Sequence, residues 1–236
     1  MNQTTELYLL MNLRSAESIK AHTENPAAFG RIQSRIEEFA EWRDIRALGP
    51  EVVLLDTALG EAAMGLYLLA SGIHRQAFGS LRLFLELGLA SVYFSAHRLE
   101  LAEWLDSAHD IRWATLSSQE DGVLSRRFCN AFLPTSGPEA IAQLDRLSAS
   151  YRELSEYVHG NYWTVDEITK SLQFNEGVAK SWLSHFEIIA DALLCALCCR
   201  FLKELNKDES QNLTAHLREH LTNCPVIRKI IDEREV

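Results

Sequence analysis

The sequence predicts an all-α protein, a helical bundle with additional N- and C-terminal helices. Three observations carry this reading. Apolar residues recur at spacings of three and four almost throughout, and no run of strict alternation marks a strand. Hydrophobic residues make up 47% of the 236 positions and proline only five, a composition at odds with long disordered segments. The breaks between periodic stretches are short and carry glycine or proline, as at Gly49-Pro50 and Ser71-Gly72.

Each element follows from these signals. A first helix is expected from Glu6 to about Lys20. Asn25-Pro26 opens a second, with Ile32, Ile36, Phe39 and Trp42 on one face toward Leu48, and Gly49-Pro50 breaks it. The segment from Glu51 to Ala70 is apolar and holds small residues (Ala58, Gly60, Ala62, Ala63, Gly65), so a neighbouring helix can pack close. After the Ser71-Gly72 turn, a long helix runs from about His74 to His97 and continues with a break through Leu101 and Trp104. Residues 115–122 read as a mobile loop, and a short helix from about Val123 to Phe132 precedes Pro134. Ser136-Gly137-Pro138-Glu139 has the form of a capping box, with Pro138 in the first turn of the next helix. That helix is expected to stop at Gly160-Asn161 through a left-handed cap. Residues 161–175, with Tyr162, Trp163 and Phe174, read as an irregular connection, and Trp163 is the one tryptophan placed to stack on a base. A long helix follows from Glu176 to Leu205, burying Val178, Trp182, Phe186, Ile189, Leu193 and Leu197. The tail from Ser210 holds one more amphipathic helix. The chain thus divides into an N-terminal helical extension (1–49), a central bundle (50–205) and a C-terminal helical tail (206–236), without an internal repeat.

Composition narrows the function. A net charge of −10 argues against a general nucleic-acid-coating protein and leaves room for a local cationic site. Arg126-Arg127 are adjacent, and Arg75, Arg82, Arg146 and Arg152 flank the expected core. The N-terminus lacks the basic start and long apolar run of a signal peptide. The most apolar windows, Leu81 to Phe94 and Phe186 to Cys199, are shorter than a membrane span requires. Five cysteines form no secreted-protein framework. The expectation is a cytoplasmic, reduced protein with no membrane partner.

The helix ending at Gly160 carries the most chemistry. Leu144, Leu147, Tyr151, Leu154 and Val158 form one apolar stripe, and Asp145, Ser148, Arg152, Ser155 and His159 form a polar stripe one residue further on. Arg152 and His159 are seven residues apart, which returns them to within about 20° of one face with a rise of roughly 10.5 Å. A fixed cation and a titratable imidazole project together, a pairing suited to holding a phosphodiester and moving its protons. His159 meets the negative end of the helix dipole, which favours imidazolium. The plain alternative is the polar edge of a half-buried helix with a terminal histidine as its cap.

An Arg, four to six residues and a His near a helix end resembles the signature of the HEPN superfamily, small all-α domains common in toxin–antitoxin and abortive-infection systems. Arg152 and His159 have six residues between them, the upper limit of that pattern. Leu154-Ser155-Glu156-Tyr157-Val158-His159-Gly160 is similar to a divergent, abortive-infection-type branch, and Ala77-Phe78-Gly79-Ser80-Leu81-Arg82-Leu83-Phe84-Leu85-Glu86 is similar to its earlier core helix. The resemblance covers about residues 50–205. It implies an HEPN-like bundle and a metal-independent endoribonuclease without cofactor. Arg152 and His159 would be catalytic there, with Glu86, Arg82, Ser155 and Tyr151 supporting. It also implies an RNA substrate, a homodimer with facing motifs, and a protein antitoxin or phage-protein trigger as partner. The apolar stripe beside Arg152 could supply the dimer contact. One residue departs from the pattern: Glu153 follows the arginine, where the family often has a small polar residue or a histidine, and its charge opposes RNA phosphate.

Arg82 and Glu86, four apart, either orient Arg152 or His159 across the bundle or form a local ion pair. Cys195-x-x-Cys198-Cys199 lies within a helix and reads as buried thiols rather than a zinc site. His216 and His220, with His185 as a conceivable third, lack the acidic residue of a zinc-protease motif and read as a solvated face. Glycine-rich phosphate loops, a nucleophile elbow and a dinucleotide fingerprint are absent from the sequence. A second functional reading stays open, a catalytically idle helical module that binds a partner protein as a sensor, adaptor or antitoxin-like subunit of a defence system.

Overall fold

The computed structural model describes residues 2–24, 26–46, 49–162, 164, 172–221 and 224–234, and every element among them is helical. Trp163 and most of the 161–175 connection lie outside the described residues. In chain order the helices are α1 (Gln3–Thr23), α2 (Pro26–Ile45), α3 (Val52–Ala70), α4 (His74–Ala96), α5 (Arg98–Leu105), α6 (Trp113–Leu116), α7 (Arg126–Phe132), α8 (Gly137–His159), α9 (Glu176–Phe201), α10 (Lys207–His220) and α11 (Pro225–Arg234), with a 3-10 turn at Leu202–Glu204 after α9.

The core is built by α3, α4, α8 and α9. The α3–α4 pair is the most extensive contact, and α8 and α9 close against α4 and each other. Small residues set the spacing, since a Cβ on Gly65 of α3 would stand 3.1 Å from the Trp182 ring. Trp182 is fully buried and its indole N–H donates to the Ala77 carbonyl at 3.0 Å, so its one polar atom is satisfied. Phe84 stacks on Phe186 at 5.6 Å and meets Phe39 edge-on, tying α2 to the bundle. The expected buried face of α2 (Ile32, Ile36, Phe39, Trp42) lies inside, and α2 is sandwiched by α3, α9 and α10.

Several expectations need correction. The capping box at Ser136 does not form. Ser136 precedes the helix with αR backbone angles (φ −78, ψ −13), its buried hydroxyl donates to the Leu133 carbonyl at 2.7 Å, and the first amide of α8 is taken by Asn130 Oδ1 at 3.0 Å. Glu139 instead accepts from the Val226 N–H at 2.6 Å and anchors α11. A working capping box sits elsewhere, between Asn206 and Glu209 at the start of α10. Residues 115–122 are a hydrogen-bonded turn rather than an open loop: Val123 N–H reaches the Leu116 carbonyl at 3.0 Å, and a Cβ on Gly122 would strike the Leu116 and Ser118 backbone at 2.5 Å. The tail forms two helices, not one.

The apolar windows also extend further than their sequence limits suggested. Val52–Ala70, His74–Ala96 and Glu176–Glu204 are each long and apolar enough to cross a membrane. In the last two, 72% of the apolar window is buried inside the protein, so their hydrophobicity is core. In Val52–Ala70 only 39% is covered.

Candidate active site

The polar stripe of α8 faces outward as its spacing requires. Asp145, Arg152 and His159 are exposed, and Ser148 and Ser155 are half-buried along its edge. The Arg152 Nε leans on the Ser148 carbonyl at 3.4 Å, and the Ser155 hydroxyl donates to the Tyr151 carbonyl at 2.8 Å. On the other side Leu144, Leu147 and Leu154 are buried, so the apolar stripe offered as a dimer contact is consumed inside the chain, with only Val158 exposed.

The turn that carries His159 is held from two sides. Gly160 adopts φ 70, ψ 39, and the Gly160 and Asn161 amides both return to the Glu156 carbonyl. Beneath it, Tyr157 is buried and stacks on Phe78 at 3.8 Å. The Arg75 guanidinium donates to the Tyr157 carbonyl and lies 3.0 Å from where a Cβ on Gly160 would stand. Arg75 is therefore a second cation at the helix end that bears His159. Sequence reasoning counted it among flanking basic residues and missed this contact, because the two residues lie 82 positions apart.

Arg82, Glu86 and Tyr151 form a separate cluster. Arg82 donates to Glu86 at 3.0 Å and to the Tyr151 hydroxyl at 2.6 Å, and that hydroxyl donates to Glu86 at 3.0 Å. Burial and the Glu86 carboxylate push the Tyr151 phenol above its ordinary range. Trp113 stacks flat on Tyr151 at 3.9 Å, so α6 covers this cluster. The bonds of Glu86 go to Arg82 and Tyr151, so of the two readings the local ion pair is the one formed, extended by a tyrosine.

Glu153 also finds a definite role. Its carboxylate stands 3.3 Å from His185 Nε2, while His185 Nδ1 is 2.8 Å from the buried Ser150 hydroxyl. Burial lowers the His185 pKa, and Glu153 opposes that shift. This line of three groups pins α8 to α9 and directs the Glu153 charge toward α9. His185 thus stands apart from His216 and His220. Those two face α2 rather than open solvent, with His216 3.6 Å from Glu41 and His220 4.0 Å from Glu38. Cys195, Cys198 and Cys199 are buried in α9. Among the described residues no three metal-binding side chains converge as ligands would.

A cavity of about 440 Å³ opens at the base of α1, lined by Arg14, Glu17, Ser18, Leu172, Gln173 and Phe174. Arg152 and His159 do not line it. Gly72 touches Gln173, so the cavity belongs to the end of the bundle from which Arg75 departs.

Chemically, α8 presents a fixed cation and an imidazole to solvent on one helix face, with a further guanidinium clasping the turn beside the imidazole. That arrangement can attract an anion and exchange protons with it. No family model, curated protein or solved structure matches this chain.

Proposed function

We propose that the chain is an HEPN-like, metal-independent endoribonuclease that acts as a toxin or antiviral effector in the cytoplasm. The observation that carries this reading is the open placement of Arg152 and His159 on one face of α8, at a helix end held by Gly160 and Arg75. In this reading the RNA 2′-hydroxyl attacks the adjacent phosphate, leaving a 2′,3′-cyclic phosphate and a 5′-hydroxyl. His159 moves the proton, and Arg152 stabilises the charge that grows on the phosphate oxygens. Arg75 and Gly160 hold the helix end from which the imidazole projects, and two copies together enclose the substrate. An antitoxin protein or a phage-protein trigger would regulate such an activity.

The test is RNA cleavage by purified protein. His159→Ala abolishes cleavage and cellular toxicity while the circular dichroism and melting temperature stay those of the wild type, because the imidazole is exposed. Cleavage by that variant at the native rate overturns the proposal.

A second reading, a non-catalytic module that binds a partner protein, is favoured by the net charge of −10 and by Glu153 beside Arg152. Overexpression separates the two. Toxicity lost with Arg152→Ala supports the nuclease, and equal harmlessness of wild type and variant supports the module.

A further inference from the structure

Among the described residues the N-terminal half of α1 has no cover. Residues 2–14 are exposed around the whole helix, although they include Leu7, Tyr8, Leu9, Leu10, Met11 and Leu13, which are 41–62% exposed. Among the described residues α1 joins the body toward its far end, where Ser18 and His22 are buried and the His22 ring meets Phe29 and Phe174 edge-on at 5.5 and 4.6 Å. About two turns of apolar helix, Leu7 to Leu13, standing alone in water are marginal, because a helix that short gains its stability from packing.

The same chain carries a matching bare face. On α3, Gly60, Ala63, Met64 and Tyr67 are exposed in one row, and a Cβ on Gly60 would meet nothing within 4 Å. Met64 and Tyr67 are 52% and 59% exposed. Small residues flanked by large apolar ones form a shallow seat for a helix. The one arm face that can sit there carries Leu9, Leu10 and Leu13; with Met64 and Tyr67 these five side chains offer on the order of 100 Å² each, roughly 500 Å² per subunit and about 1,000 Å² over both, the lower bound for a specific dimer.

We infer that the α1 arm of one copy docks on the Gly60–Tyr67 face of α3 in a second copy, reciprocally, giving a two-fold arm-exchanged homodimer. Two-fold closure uses the arm face and the α3 face of each copy once. A second copy fits better than a lipid surface. The arm holds a single arginine, Arg14, balanced by Glu6, so it brings no net positive charge to headgroups, and the chain's net charge of −10 is repelled by anionic membranes. This surface is distinct from α8, so it does not depend on the nuclease reading.

The test reads mass rather than activity. Sedimentation of the full chain gives a dimer of twice 26.8 kDa at micromolar concentration. Leu10→Glu with Leu13→Glu on the arm, and separately Met64→Glu with Tyr67→Glu on the face, each raise the dimer dissociation constant by more than about 100-fold while leaving the circular dichroism unchanged. Mixing the two variants restores dimers, because the intact arm of one meets the intact face of the other. Wild type that stays monomeric at about 100 µM overturns the inference. So does a monomer that co-sediments with phosphatidylcholine vesicles through the arm, dimerisation unaffected by either variant, or a mixture that fails to pair.

Discussion

Arg35 shows how much one side chain can demand of its surroundings. It sits on the apolar face of α2 between Ile32 and Phe39 and is fully buried. Asp191 accepts from its guanidinium at 3.2 Å, and Glu38 lies 3.4 Å away. Asp191 is half-buried and also has Arg146 at 3.9 Å, so among the described residues Arg35 is the one close guanidinium left to the fully buried Glu38 and does not keep it ionised. Burial raises the pKa of both, and it pushes Glu38 up to about 7 against the pull of Arg35. The sign of the consequence follows. A carboxyl whose folded pKa is raised contributes stability that is full below its unfolded value and is lost as pH climbs through 7. Glu38→Gln, which keeps the shape and cannot ionise, should therefore gain stability relative to wild type between pH 5 and pH 8. The gain is up to about 3 kcal/mol, read by urea unfolding at the two pH values. Nothing in the local sequence announced this cluster, because Asp191 lies 156 residues away.

The start and stop of α8 teach opposite lessons at the scale of an element. Its end was legible because Gly160 needs a positive φ that other residues resist, a property of one residue. Its start was misread, since Ser136 and Glu139 could serve a cap or other backbone groups, and Leu133 three residues back and the distant Val226 win. Gly160→Ala should cost about 1 kcal/mol for the left-handed backbone, with more from crowding against Arg75. The melting temperature falls by roughly 2–4 °C or more. Gly160→Asn recovers part of the loss, since asparagine tolerates that conformation better. If the α8 site cuts RNA, the alanine variant should also cleave more slowly, because His159 immediately precedes the distorted cap. A thermal melt beside a cleavage assay checks both.

At the scale of the whole molecule, the close approach of α3 to α4 and α9 is the constraint on which the bundle stands. Gly65→Val adds two methyl groups beyond a Cβ that already meets the Trp182 ring at 3.1 Å and the Ala77 carbonyl at 3.4 Å. Overpacking of this kind costs typically 1–3 kcal/mol, so the melting temperature drops by roughly 2–10 °C, while Gly60→Val on the bare face of α3 leaves monomer stability within about 0.5 kcal/mol. Equal losses from the two substitutions in differential scanning would contradict this packing. The sequence by itself determined the helical class, the faces that α2, α8 and α9 bury, the glycine stop of α8 and the outward stripe of Arg152 and His159. These follow from residue periods and single-residue backbone preferences, which act over one or two turns. Only the tertiary structure decided that Arg75 clasps the turn beside His159, that Glu86 bonds Tyr151, that Glu153 faces His185 and that Arg35 shares two carboxylates. Each of those depends on which helix stands opposite, a choice made by packing across the bundle and carried by no local spacing.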